Sequence, residues 1–215
     1  MDKDKNLECL VDCGVVAIIR VKDSEEAVRV AGAIKEGGVN VIEISVVTPN
    51  ALAAITAISQ RFGEEALIGV GTVLDPETAR AAIVAGAEFV VGPTLNKGVI
   101  ETCRRYSKIS IPGAFTPTEI LTAWELGADI VKVFPAAVVG PRYIKDILEP
   151  LPQVRLLPTG GVNLENAGEF IRAGAVAIAV GGALVDKKAV AEERFGVITE
   201  RARKFLEVVK RAREK

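Results

Sequence analysis

The stretch Leu126-Gly127-Ala128-Asp129-Ile130-Val131-Lys132-Val133-Phe134-Pro135 decides how the chain is read. It is a helix end, a glycine turn and an apolar strand that Pro135 closes. β-Branched residues fill the strand, as expected of a pleated, buried segment. The same device recurs at Glu36-Gly37-Gly38-Val39-Asn40-Val41-Ile42, Ala85-Gly86-Ala87-Glu88-Phe89-Val90 and Ala173-Gly174-Ala175-Val176-Ala177-Ile178. Between the copies, further strands are predicted over 15–20, 67–72, 109–111 and 154–157. Helix starts stand after them: Asp23-Ser24-Glu25, Thr48-Pro49-Asn50, Asp75-Pro76-Glu77, Asn96, Thr116-Pro117-Thr118-Glu119, Pro141 and Asn163-Leu164-Glu165-Asn166. A short helix leads the chain over 6–13, and a long one closes it over 192–213. Eight strand–helix units predict an α/β fold, a (β/α)8 TIM barrel spanning residues 1–215 as one domain behind a short N-terminal helix. A doubly wound open sheet is the alternative; the lack of any linker or domain break favours the barrel.

Composition agrees. Of 215 residues, 49% are hydrophobic and only 5% aromatic, which suits parallel strands buried on both faces and helices packed close against them. A net charge of -1 advertises no nucleic-acid surface. The segment Met1 to Leu7 is too charged for the apolar core of a signal peptide, and no apolar run is long enough to span a bilayer, so a cytoplasmic protein is expected. Cys9, Cys13 and Cys103 form no metal or redox motif and read as packing residues. The absence of histidine excludes His-based triads and His metal sites, leaving carboxylates, lysines, tyrosines or water for acid–base chemistry.

Lys132 interrupts an apolar run, where an ammonium is costly unless paired or neutralised. One reading places it on an edge strand pointing at water. The barrel argues otherwise. Ile130, Lys132 and Phe134 share one face, and Val41, Glu43 and Ser45 share another. Ile68, Val70 and Thr72 do so in the third strand. The outer face must be apolar to receive helices, so Glu43 and Lys132 are expected to point into the lumen. A buried lysine with a lowered pKa is a free amine able to attack carbonyls and form Schiff bases. A structural ion pair inside the lumen is the remaining alternative. Two glycine-rich segments, Pro158-Thr159-Gly160-Gly161-Val162-Asn163 and Val180-Gly181-Gly182-Ala183, end the last two strands, where backbone amides would hold a phosphate.

Val41-Ile42-Glu43-Ile44, Gly69-Val70-Gly71-Thr72-Val73, Gly92-Pro93-Thr94-Leu95, Ile111-Pro112-Gly113, Thr116-Pro117-Thr118-Glu119, Lys132-Val133-Phe134-Pro135 and Pro158-Thr159-Gly160-Gly161-Val162 follow one another along nearly the whole chain. In these pieces the sequence resembles the class I pyruvate aldolases of the 2-keto-3-deoxy-6-phosphogluconate (KDPG) and 4-hydroxy-2-oxoglutarate (KHG) type. The resemblance implies a compact barrel, a homotrimer, no metal and no cofactor. It implies a keto-acid sugar phosphate and pyruvate as small-molecule partners, with neither nucleic acid nor membrane. It makes Lys132 the Schiff-base lysine and Glu43 the general acid/base. Thr72 would contact the pyruvate part, and Phe134 and Pro93 would line the pocket. Gly160, Gly161, Gly181 and Gly182 would lie around the phosphate, with Thr159 a further substrate-binding position. Two positions depart from the family pattern: Val47 stands where many members carry a carboxylate-binding arginine, and Ala183 where many carry a phosphate-binding serine. Relatives that act on the galactonate epimer instead end the first strand with arginine, as Arg20 does here. KHG cleavage, galactonate-epimer cleavage and a catalytically silent oligomeric scaffold are the rival functions.

Overall fold

A computed structural model describes residues 2–214. The strands are β1 (Val15–Ile19), β2 (Val41–Ser45), β3 (Leu67–Gly71), β4 (Phe89–Val91), β5 (Ile109–Ile111), β6 (Gly113–Ala114), β7 (Val131–Val133), β8 (Leu156–Pro158) and β9 (Ile178–Val180). The helices are α1 (Lys3–Cys13), α2 (Ser24–Glu36), α3 (Ala51–Phe62), α4 (Pro76–Val84), α5 (Lys97–Arg105), α6 (Pro117–Glu125), α7 (Ala136–Leu148), α8 (Ala167–Arg172), α9 (Lys187–Ala191) and α10 (Phe195–Arg213).

Every strand pairing is parallel. Hydrogen bonds join the strands in two arcs, β5-β4-β3-β2-β1-β9 and β6-β7-β8. β5 and β6 are two pieces of one barrel position split by Pro112, which has no N–H to give a ladder. The Pro112 carbonyl still accepts from the Lys132 amide at 2.9 Å. A parallel bridge between Thr159 and Ala179 links β8 to β9, so the eight positions close into a ring. The fold is thus the (β/α)8 barrel expected from the repeats. In all four repeat copies the turn glycine, Gly38, Gly86, Gly127 or Gly174, has a positive φ, ending a helix and aiming the chain at the next strand.

The core has two compartments. Helices cover the outer face through Ile19, Ile42, Ile44, Ile68, Val70, Val131 and Val133. The lumen holds Val16, Ile18, Val41, Leu67, Phe89, Ile111, Ile130 and Leu157. Leu10 of α1 belongs to that second set and is fully buried, so α1 stops the N-terminal end of the barrel. Polar contacts hold it there: Asn6 Nδ2 donates to Glu88 Oε2 at 2.8 Å, and Lys3 pairs with Asp129 at 2.8 Å. Arg213 of α10 donates to the carbonyls of Val11, Asp12 and Val176, capping the end of α1 from outside. Cys103 is buried, and burial pushes its thiol up to about 12, in keeping with a packing role.

Four local expectations need correction. Thr72 does not share the face of Ile68 and Val70, which turn outward while Leu67 enters the lumen. α7 begins at Ala136, one turn before Gly140, whose φ of 70° and ψ of 179° kink it ahead of Pro141. Residues 163–166 form a turn in which Asn163 and Asn166 cap one another's backbone, delaying α8. The short α9, capped by Asp186, intervenes before α10, which starts at Phe195 rather than Glu192.

Candidate active site

Alternation along β2 puts Val41, Glu43 and Ser45 in the lumen and leaves Ile42 and Ile44 for the helices. β7 does the same with Lys132 between outward Val131 and Val133. Glu43 is 0% and Lys132 3% exposed. A Cβ on Gly71 would stand 1.7 Å from Glu43 Oε1, and one on Gly69 would stand 2.4 Å from the Phe89 ring. Two lumen-facing glycines of β3 therefore vacate the volume that the Glu43 and Phe89 side chains occupy.

Thr72 reaches the site by a different route. Simple alternation would send it outward with Ile68 and Val70. Its φ of 66° turns it back, and its hydroxyl meets that of Ser45 at 2.7 Å. Ser45, which shares the lumen face of Glu43, is fully buried and was given no role from sequence.

Glu43 and Lys132 do not form the closed ion pair that the sequence left open. Both Glu43 oxygens lack a hydrogen-bond partner among the described residues. An orphaned buried carboxylate is costly and concentrates at sites that do chemistry. Burial drives the Glu43 carboxyl above its ordinary range, against the pull of Lys132 and Arg20. Burial drives the Lys132 ammonium below its ordinary range; Glu43 opposes that shift and Arg20 adds to it. Each group is thus moved toward its neutral form. The Lys132 Nζ sits 5.0 Å from the Phe134 ring centroid.

Next to this pair, at the C-terminal ends of the strands, opens a cavity of about 360 Å³. Buried Ile18, the register partner of Glu43, and the partly exposed Phe134 face it. Arg20, Thr159 and the segments 160–163 and 181–183 complete its wall. Four N–H groups there, those of Gly161, Val162, Gly182 and Ala183, have no acceptor among the described residues. A Cβ on Gly181 or Gly182 would meet nothing within 4 Å, so no protein neighbour demands glycine at either place. Bare backbone facing open space with free amides is a cradle for an anion. Gly161 differs: its Cβ would stand 2.2 Å from Ala137 Cβ, so packing also requires it.

The structure therefore gathers Arg20, Phe134, Thr159, Gly160, Gly161, Gly181 and Gly182 around one cavity, with Lys132 and Glu43 buried beside it. Pro93 is not on that wall; it lies two residues past β4 with its carbonyl packed against Gly113, the register partner of Lys132. Val47 is 62% exposed. Sequence reasoning missed Ser45 and the space-making Gly69 and Gly71; the alternation of glycine with apolar residues in Leu67-Ile68-Gly69-Val70-Gly71 was the available signal for the latter two.

A parallel barrel with a shifted amine and carboxylate in its lumen and an amide-lined cavity at the C-terminal ends of its strands is the architecture of an enzyme. Residues 7–201 match the family model described as KDPG and KHG aldolase, and the chain belongs to that family. It is 35% identical over 203 residues to the 2-dehydro-3-deoxy-phosphogluconate aldolase of Treponema pallidum (strain Nichols), covering 94% of this chain and 96% of the relative. It is 36% identical over 171 residues to the 2-dehydro-3-deoxy-6-phosphogalactonate aldolase of Escherichia coli (strain K12), covering 79% and 83%. Among solved structures, the KDPG aldolase of Legionella pneumophila with pyruvate captured as a covalent carbinolamine superimposes with a TM-score of 0.86 at 28% identity, covering 92% of this chain and 96% of that one.

Proposed function

We propose that the protein is a class I aldolase that cleaves 2-keto-3-deoxy-6-phosphogluconate reversibly to pyruvate and glyceraldehyde 3-phosphate. The observation that carries this reading is the buried Lys132, moved toward a neutral amine, beside the unpartnered Glu43 in the lumen of a KDPG-family barrel. A neutral amine adds to the C2 ketone, and its proton passes to the oxygen to give a carbinolamine. Protonated Glu43 gives its proton to the departing hydroxyl, releasing water and leaving an iminium. The Glu43 carboxylate then takes the C4 hydroxyl proton. The C3–C4 bond breaks, its electron pair flowing into the iminium to form an enamine as the aldehyde leaves. Glu43 returns the proton to C3, and water then hydrolyses the iminium to free pyruvate and neutral Lys132, the proton released going back to the Glu43 carboxylate. One carboxyl group serves each step because its role reverses with each proton.

Borohydride reduction in the presence of pyruvate, followed by intact mass, tests the reading. The expected product is one reduced pyruvyl adduct per chain, absent in Lys132→Ala. An adduct that persists in Lys132→Ala moves the Schiff base to another lysine and refutes the assignment of Lys132, and none in the wild type leaves the silent scaffold.

A second reading is cleavage of the galactonate epimer, favoured by Arg20. Every substrate of this class carries a carboxylate beside the ketone, which needs a charged or multiply donating partner in a dry site. Exposed Val47 offers none, whereas Arg20 lines the cavity and its field acts on both Glu43 and Lys132. Parallel assays of the two epimers and of unphosphorylated 4-hydroxy-2-oxoglutarate separate the candidates. We read the assembly as a cytoplasmic homotrimer. Exposed Val47, Leu52, Leu74, Phe115 and Val138, all in segments that follow strands, support contact with further copies. No helix among the described residues is long and apolar enough to cross a membrane.

A further inference from the structure

The turn after β9 is fixed from two sides. Within it, the Leu184 and Val185 amides both donate to the Gly181 carbonyl at 2.9 Å. From outside, Arg201 reaches in from α10. Its Nη1 donates to the Ala183 carbonyl at 3.1 Å, and its Nη2 pairs with Asp186 Oδ2 at 3.2 Å. Asp186 is itself anchored, because its Oδ1 accepts from the Ala189 amide at 2.8 Å as the N-cap of α9. The Gly181 and Ala183 carbonyls are thus held on the protein side, and the Gly182 and Ala183 amides have no protein acceptor beside the cavity.

We infer that Arg201, held by Asp186, is the positioning residue of the phosphate cradle: it fixes the 181–185 turn so that the Gly182 and Ala183 amides meet the phosphate. The inference rests on the reading of that cavity as the phosphate site. It also bears on Ala183, where the family's serine hydroxyl is missing. With no side-chain donor at that position, the turn offers the phosphate backbone amides alone, so the orientation of those amides carries more of the binding. Arg201 is not on the cavity wall; it acts through the Ala183 carbonyl. A planar guanidinium can hold a carbonyl and a carboxylate together, whereas a lysine ammonium is a point charge on a flexible stem.

The test is steady-state cleavage of a 2-keto-3-deoxy-6-phospho acid and of unphosphorylated 4-hydroxy-2-oxoglutarate by wild type, Arg201→Gln, Arg201→Lys and Asp186→Asn. Asp186→Asn keeps a side-chain oxygen for the α9 cap while removing the charge that holds Arg201, so it probes the clamp without uncapping the helix. The clamp predicts a KM for the phosphorylated acid raised about tenfold in Arg201→Gln, the scale of one lost charge-assisted hydrogen bond. Smaller rises are expected in Arg201→Lys and Asp186→Asn. The KM for the unphosphorylated acid and the rate of pyruvate adduct formation should stay at wild-type values in all three. A wild type that prefers the phosphorylated acid, with variants that leave its KM unchanged or raise both KM values alike, overturns the role of Arg201 and keeps the phosphate site. A wild type with equal KM for both acids overturns the phosphate site itself, and the clamp with it.

Discussion

Between about pH 4.3, where a free glutamate loses its proton, and the higher pH at which buried Glu43 does so, the folded chain holds a proton that the unfolded chain has released. Stability therefore falls as pH rises through that window, and above it the penalty is complete. Glu43→Gln removes the penalty. The variant should melt above wild type at neutral pH, and the gap should close as pH drops below about 4.3, where the wild-type carboxyl is neutral in both states. Turnover should fall by about two to four decades, the usual range for a lost acid–base group. Thermal melts across pH 4–8 read the first effect and single-turnover kinetics the second. A Gln variant less stable than wild type at pH 7 would mean that the carboxylate is held by a favourable partner. The residues that carry this tension were legible in the sequence, because an acid in Val41-Ile42-Glu43-Ile44 and a base in Ile130-Val131-Lys132-Val133 are conspicuous among apolar neighbours. Arg201 was not legible: it lies 18 residues beyond the carbonyl it holds, on a helix whose pattern reads only as amphipathic.

At the scale of the element, β3 shows how a strand serves a site to which it gives no reactive group. Its lumen face is Leu67, Gly69 and Gly71, and the glycines admit side chains from β4 and β2. Gly71→Ala should push the Glu43 carboxylate aside, since the new methyl would stand 1.7 Å from Oε1. An expected loss of about a hundredfold in kcat follows from a displacement of roughly an ångström, with pyruvate adduct formation slowed as well. Gly69→Ala presses instead on the buried Phe89 ring and should lower the melting temperature, the usual result of overpacking. Equal kinetics for Gly71→Ala and wild type would contradict this account. Strand faces were readable for β2 and β7, where alternation runs unbroken to the strand end. They were not for β3, because the positive φ of Thr72 changes the phase at the residue that matters. Pro112 is visible in the sequence, but the second strand piece after it is only Gly113–Ala114, too short for any periodicity to show. The same holds for α9, five residues whose existence rests on one aspartate cap.

Across the whole molecule, the last turn of α10 meets the last turn of α1 at the N-terminal end of the barrel. Arg213 supplies the cationic cap that the last turn of α1 lacks and also holds the Val176 carbonyl at the approach to β9. Arg213→Ala should cost about 1–2 kcal/mol, the worth of partly exposed charge-assisted hydrogen bonds. At this chain length that is a fall of roughly 3–6 °C in melting temperature. Amide exchange should quicken in α1 before the strands respond. Unaltered exchange in α1 would show that Leu10 and the Asn6 and Lys3 contacts hold the helix without the arginine. The stopper matters beyond stability, because it leaves the lumen a single doorway. On the proposed chemistry the ketoacid half is tethered to Lys132 on the inner side, and the phosphorylated half lies nearer the doorway, against Gly161 and Gly182. Traffic is then sequential: the aldehyde departs first and the ketoacid last. In the condensing direction the queue reverses, and surplus aldehyde obstructs the ketoacid that has to enter ahead of it.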